Sequence, residues 1–317
     1  MRIRALVLSI AAVAATFPTL YGAGQAAEPA RARAGVAVVD ASWHVGASQG
    51  QYADDGSFAG DHGVDPYVSA TRRAASTGLQ SRISVRALVV QGRNGGRTAI
   101  VANDLYLPQD LLNRRVASLL AEHDAAVPPA ERTGITGESL AVTASHSHGS
   151  PYYSTPSAGL FVFQDVVDLR FYEYMAQQMA TAVIRATAGM VPVRMGGATA
   201  SSNDITSHSY GPQVADDGTP SGQPYDFTTQ QLSVVRFDDM TDPGNPKPLA
   251  NWVVFGLHPE WSFGDGLVTG EILHTIMRMA DRETGAVTVM SQNETGHPVR
   301  TRTFARTRRS SVASSRT

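Results

Sequence analysis

The sequence has no cysteine among its 317 residues. Disulfide bridges, thiolate zinc sites and cysteine nucleophiles are therefore excluded. Lysine is nearly absent as well. Lys247 stands alone beside 25 arginines, a skew that reflects coding bias more than physics. Beyond the N-terminal segment no run is apolar enough to span a bilayer. No glycine-rich cradle accompanies the basic residues that could hold phosphates. Nor is there a basic surplus in the body of the chain, where residues 35–299 carry 16 Lys/Arg against 27 Asp/Glu. That acidic balance argues against a nucleic-acid partner. A hydrophobic content of 42% with 17% charged residues matches a soluble globular protein, and the length suffices for one large domain or two small ones.

Both ends differ from the body. Arg2 and Arg4 precede an apolar run from Ala5 to Ala15, too short to cross a membrane, and Gly24-Gln25-Ala26-Ala27 offers small residues for cleavage. Residues 1–27 read as a secretory signal peptide, so a secreted, extracellular protein is expected. Phe17, Leu20 and Tyr21 extend the apolar character and keep a membrane-anchored start as the alternative. At the other end, 14 of residues 300–317 are Arg, Ser or Thr, with no apolar period. Residues 299–317 are expected to form a disordered basic tail. The abrupt change after Gly296 or His297 points to a shifted reading frame or a truncated gene product, with a genuine basic tail as the other reading. Residues 28–298 are left as one catalytic-type domain.

Hydrophobic periodicity organises that domain. Gly35–Asp40 reads as the first strand, and 44–80 as a long Gly-, Ser- and Asp-rich loop region. Ser84–Gln91 and Arg97–Ala102 flank Arg93-Asn94-Gly95-Gly96, a strong hairpin signal. Asp110–His123 is expected to be a helix with Leu112, Val116, Leu119 and Leu120 on one face. A second helix is expected over Asp168–Ala188, carrying Leu169, Tyr172, Met175, Met179 and Val183, and a third over Glu271–Glu283, carrying Ile272, Ile276 and Met279. Strands are expected at 138–145, 193–199, 231–237, 248–257 and 286–291, and a polar loop at 202–229. Strands and helices mixed with at least one antiparallel hairpin imply an α/β (mixed α+β) fold, with mixed sheets flanked by helices in one large domain.

The chemistry concentrates in Thr143-Ala144-Ser145-His146-Ser147-His148-Gly149-Ser150-Pro151. Residues two apart on a strand face the same way, so a strand ending here would project two imidazoles side by side. Such a pair can hold a metal or handle protons, or it can simply cap a strand end. A third histidine closes the apolar run Asn251-Trp252-Val253-Val254-Phe255-Gly256-Leu257-His258 ahead of Pro259, which cannot continue a central strand. Two buried strands that end in histidine can converge, and three neutral imidazoles in a partly open site suit Zn2+. His258 as a satisfied strand-end histidine is the alternative. Spacing alone does not separate a metal ligand from a helper within the His146–His148 pair.

In their joint order, several of these segments resemble the N-terminal catalytic region of the neutral/alkaline (non-lysosomal) ceramidases. They are Gly35–Asp40, Gly78–Val90, Val101-Ala102-Asn103-Asp104-Leu105, the Thr143–Pro151 segment, Leu232–Phe237 and Phe255-Gly256-Leu257-His258-Pro259. The resemblance spans about residues 35–296. It implies a zinc-dependent amidohydrolase that splits the N-acyl bond of ceramide, a lipid substrate, into sphingoid base and fatty acid. It further implies that His146 and His258 bind zinc while His148 assists the reaction. The family's remaining ligands, a glutamate and a tyrosine, would lie beyond residue 317, so the domain is read as incomplete at its C-terminus and its activity as impaired. Where the family carries Gly-Asp-Val-Ser-Pro, this chain reads Gln292-Asn293-Glu294-Thr295-Gly296-His297-Pro298, and where the family often has Asn-Arg-Ser it reads Asn203–Tyr210 without arginine. The alternatives are a zinc hydrolase of another amide or ester, and a non-catalytic module that binds lipid or a cell surface. A lipid substrate brings peripheral contact with a membrane surface as a corollary; the oligomeric state is not legible.

Other polar residues carry weaker expectations. Asp104 reads as a cap or a partner to a ligand, Glu260 as an exposed acid with a general base as the alternative, and Asp265 and Glu271 as helix-capping acids. His274 reads as an ordinary helix residue, His44 as a loop histidine with a cleft-lining role as the alternative, His208 as an exposed loop histidine with substitution for the missing arginine as the alternative, and Tyr152 and Tyr153 as packing or mouth residues.

Overall fold

The structure is a computed structural model and describes residues 32–45, 76–107, 110–151, 169–201, 231–259 and 266–292. Ten strands and three α-helices are present among them: β1 (Arg33–Asp40), β2 (Gly78–Leu79), β3 (Ser84–Gln91), β4 (Arg97–Asn103), α1 (Asp110–Ala126), β5 (Leu140–Ala144), α2 (Leu169–Ala188), β6 (Val191–Ser201), β7 (Gln231–Asp239), β8 (Lys247–Val254), β9 (Leu267–Val268), α3 (Glu271–Thr284) and β10 (Val287–Ser291). Eight strands form one mixed sheet in the order β10-β8-β7-β6-β1-β3-β4-β5, and β2 pairs with β9. The mixed α/β class is as expected. The signal peptide, the tail and the 202–229 loop lie outside the described residues, as do Tyr152, Tyr153, His208, Glu260, Asp265 and His297.

The large sheet folds over on itself. β1 and β6 pair only through Arg33–Pro192 and Ala34–Val191, so the two halves of the sheet are hinged at one corner. β10 then packs against β3 and β4. Between the halves lies an apolar layer made of Ala34, Leu88, Ile100 and Ala102 from one side and Val193, Phe237, Ala250 and Val289 from the other. The alternation of side chains along a strand does the sorting. Leu88 points into this middle layer, whereas its neighbours Ala87 and Val89 join the core beneath α1 and α2. Val289 likewise faces inward, and Met290 faces α3 with Val253, Phe255, Ile272, Leu273 and Ile276. Helices cover both outer faces, so β3 is buried on both sides, which explains its unbroken apolar run.

Helix stripes follow the 3.6 period. α1 buries Leu112, Val116 and Leu120, and α2 buries Met175, Met179 and Val183. The Asn94-Gly95 turn joins β3 to β4 as the sequence implies, with Gly95 at φ 85°. Gly285 closes α3 in the left-handed region, φ 68°, and donates its N–H to the Asp281 carbonyl. Asp281 also joins the layers through its side chain. It pairs with the buried Arg86 of β3 at 2.8 Å and accepts the Thr288 N–H of β10 at 2.6 Å.

Two boundaries differ from expectation in ways that matter. β5 stops at Ala144, before either histidine, and β8 stops at Val254, leaving Phe255–Leu257 irregular. Local apolarity extended both readings, but ladder pairing ends sooner: β4, the partner of β5, ends at Asn103, which pairs with Ala144.

Gly35 shows how closely α2 sits on β1. A Cβ built there would lie 1.9 Å from the Ala186 carbonyl oxygen, and that backbone cannot yield cheaply. Gly35→Ala is expected to destabilise the full chain by roughly 1–3 kcal/mol or more, measured by urea denaturation. A change within about 0.5 kcal/mol, the size of a neutral surface substitution, would contradict this packing.

Candidate metal centre

Three histidines meet where the two halves of the sheet come together. One ligand nitrogen from each of His146, His148 and His258 falls within 4.8 Å of the others. The Nε2 atoms of His148 and His258 are 2.9 Å apart, and the ring centroids are spaced at 4.7–4.9 Å. His148 is the deepest, at 1% exposure, while the other two reach the surface of the site.

The His-x-His geometry is not that of a strand. His146 has φ 63°, in the left-handed region where a residue with a Cβ is strained, at a cost of about 1–3 kcal/mol. Two local interactions offset the strain. Nδ1 of His146 lies 2.9 Å from the Tyr106 carbonyl oxygen, and its ring stacks on the Tyr106 ring at 4.6 Å, worth about 0.5–1.5 kcal/mol. Donation from Nδ1 to that carbonyl leaves the Nε2 lone pair directed away as a ligand. The loop, rather than strand alternation, therefore brings the two imidazoles to one centre.

The start of α3 buttresses the same loop. Glu271, 3% exposed, accepts the backbone N–H of His148 at 3.1 Å. Ser147 Oγ donates to the Thr269 carbonyl at 2.7 Å, and Thr269 N–H donates to the Gly149 carbonyl. Glu271 has φ 55°; it and His146 are the only non-glycine residues with positive φ among the described residues. Strain of this kind persists only where surrounding contacts enforce it, and it gathers at functional sites. Glu271 was expected to cap the helix. Gly270 occupies the N-cap instead, without a side-chain cap, and the Glu271 carboxylate goes to the histidine loop.

Asp104 reads from the sequence as a cap or a partner to a ligand; in the structure it pairs instead with His274, which reads as an ordinary helix residue and lies outside the three-histidine group. Its fully buried carboxylate accepts from Ser84 N–H at 2.7 Å, Ser84 Oγ at 3.0 Å and His274 Nδ1 at 2.7 Å. This network anchors α3 to the ends of β3 and β4. His44 is exposed and packs on Trp43; it does not join the centre. Sequence reasoning missed Tyr106, whose contribution is a backbone carbonyl, and Gln292. The Gln292 side chain accepts Leu257 N–H at 2.9 Å and donates to the carbonyls of Leu257 at 2.6 Å and Ser145 at 3.0 Å.

The electrostatics favour neutral rings at His146 and His148. Burial, with the His258 charge adding to it, pushes His146 down to about 4 from an ordinary 6.5. Burial and the two neighbouring imidazoles push His148 to about 2. Neutral imidazole is the form that ligates a metal. Nitrogens about 2.0–2.1 Å from a tetrahedral ion stand roughly 3.3 Å apart, which falls between the 2.9 Å of the closest pair and the 4.8 Å limit of the group. The residues present therefore fit a metal ion.

No protein-family model matches the sequence, and no curated protein matches it. Solved structures do. The chain is similar to the neutral ceramidase from Pseudomonas aeruginosa at TM-score 0.60 and 17% identity, over 87% of this chain and 40% of that one. It is also similar to a ceramidase complexed with C2 at TM-score 0.57 and 18% identity, over 84% of this chain and 38% of that one. The chain thus has a neutral ceramidase-like fold and spans about two fifths of the length of those structures.

The lowered histidines set a sign for the pH dependence of stability. In the unfolded chain they take up protons near 6.5, whereas in the folded chain His146 stays neutral to about 4 and His148 lower still. The unfolded state then binds more protons below about 6.5, so stability falls as pH falls through that value and levels off only beneath the folded values. For the metal-free full chain, the urea midpoint is expected to drop between about pH 7.5 and 5.5, above the carboxylate range. His148→Phe is expected to reduce the drop. An equal drop in that variant would contradict the assignment.

Proposed function

We propose that this chain is an exported, zinc-dependent amidohydrolase that cleaves the N-acyl bond of ceramide-type lipids. The observation that carries the reading is the convergence of three imidazoles whose ligand nitrogens lie within 4.8 Å of one another, on a fold shared with ceramidases. Export rests on the composition of residues 1–27.

Amide hydrolysis needs a nucleophile at neutral pH and a stabilised oxyanion. Zinc, when bound, lowers the pKa of water and polarises a carbonyl. His146 and His258 would hold it. The Tyr106 carbonyl fixes the tautomer of His146 and presents its Nε2, the usual arrangement for a ligating histidine. His148 is neutral and buried beside them, able to donate a ring N–H hydrogen bond to a developing oxyanion. Glu271 keeps His148 in place by holding its backbone N–H. The 2.9 Å approach of His148 to His258 favours one second reading, in which all three histidines are ligands.

Metal content and turnover test these roles together. The purified chain is expected to hold stoichiometric zinc, and His146→Ala and His258→Ala each to weaken zinc at least about tenfold. His148→Ala is expected to keep zinc and lose turnover of a fluorescent N-acylsphingosine. Equal zinc loss in all three variants would select the three-ligand reading. Substoichiometric zinc unchanged by His146→Ala would overturn the metal reading. Cleavage of simple N-acyl amino acids but not of the sphingosine amide would replace the substrate.

A further inference from the structure

We propose that Gln292 is a positioning residue for the histidine centre, its carboxamide setting the separation between the segments that carry His146 and His258. The inference rests on the metal reading above and concerns a residue outside the three histidines. Gln292 directly follows β10, whose last residue, Ser291, pairs in parallel with Val254 at the end of β8. Beyond that rung the backbones no longer form a ladder. The Gln292 side chain takes over, acting as one more peptide unit. Oε1 accepts the Leu257 N–H, and Nε2 donates both to the Leu257 carbonyl and to the Ser145 carbonyl.

The two bridged residues are the immediate predecessors of the histidines. Leu257 precedes His258, and Ser145 precedes His146. β5 and β8 lie far apart in the order of the sheet, and the segments that follow them meet only because the sheet folds over. Glu271 and Ser147 fasten the 146–149 segment to the start of α3, a different direction. Beside the direct approach of His148 to His258, the Gln292 side chain ties the backbone of one histidine segment to that of the other.

The chemistry requires a carboxamide. The two carbonyls need N–H donors and the Leu257 N–H needs an acceptor, and one planar amide offers both at fixed spacing. A carboxylate of the same length would direct oxygen at both carbonyls. A thioether of the same length would satisfy none of the three groups. With the bridge lost, the two segments relax apart, and the nitrogens depart from the separation that a small ion demands.

The test uses the full chain with the metal alone: Zn2+ for affinity by titration calorimetry and Co2+ for the visible d–d band that reports coordination geometry. Gln292→Glu and Gln292→Met are expected to weaken Zn2+ about tenfold to a hundredfold, the range for partners that orient ligands, and to alter the Co2+ band. Near-UV circular dichroism checks that each variant is folded; Gln292→Met serves if the charged variant is not. Asn251→Ala removes a partly buried hydrogen bond to Thr284, at the far end of α3 from the histidine loop. It controls for general destabilisation and is expected to keep the wild-type band. Wild-type affinity and band in both Gln292 variants would overturn the role of Gln292 alone. An altered band in Asn251→Ala equal to theirs would reduce the effect to stability and overturn it too. A wild-type chain that binds neither ion would overturn the metal reading, and this inference with it.

Discussion

Everything at the histidine centre depends on the packing of one half of the sheet against the other. Leu88, Ile100 and Ala102 lie against Phe237, Ala250 and Val289, and without that apolar layer β5 and β8 would stand at distant places in a flat sheet. Hydrophobic burial has no direction of its own. Here it acquires one from strand alternation, which assigns each side chain to the middle layer or to an outer one. The single corner linking β1 to β6 permits the fold-over, and the buried Arg86–Asp281 pair with the Thr288 backbone fixes how far it goes.

Onto that frame the protein adds a shell of buried polar groups around the first turn of α3. Asp104, His274, Glu271, Thr269 and Ser147 hydrogen-bond between the start of α3 and the neighbouring loops and strand ends. Buried polar groups of this kind specify one arrangement, because a shifted loop would leave them unpaired at about 1–3 kcal/mol each. The strained backbone of His146 and Glu271 is tolerated inside the same shell. Rigid support lies behind the imidazoles, and their ligand nitrogens converge on one another.

The sequence made the fold largely legible because apolar periodicity and the Asn94-Gly95 turn are local signals. β3, β4, the helices and the mixed sheet all follow from them. The three histidines were legible as a group for a weaker reason: two apolar runs ended in histidine. The argument from strand alternation was wrong in detail, since β5 ends at Ala144 and a left-handed residue turns the chain. That turn depends on a carbonyl and a ring of Tyr106, both distant in sequence. Glu271 read as a capping acid because acids at helix starts usually are, and only tertiary structure shows its carboxylate aimed at His148. Gln292 looked like a missing motif rather than a bridge, because what it joins lies 35 and 147 residues away.

That remoteness bears on the order of events in folding. His148 and His258 are separated by 110 residues, and contacts of such span form only after costly loops have closed. No short peptide from this chain can gather the coordination sphere. In zinc-finger modules, by contrast, ligands lie close in sequence and the ion drives folding outright. Here any ion must arrive at a nearly finished protein, as a late tenant and not as a template. Its release would loosen one rim of the molecule while leaving the apolar layers standing.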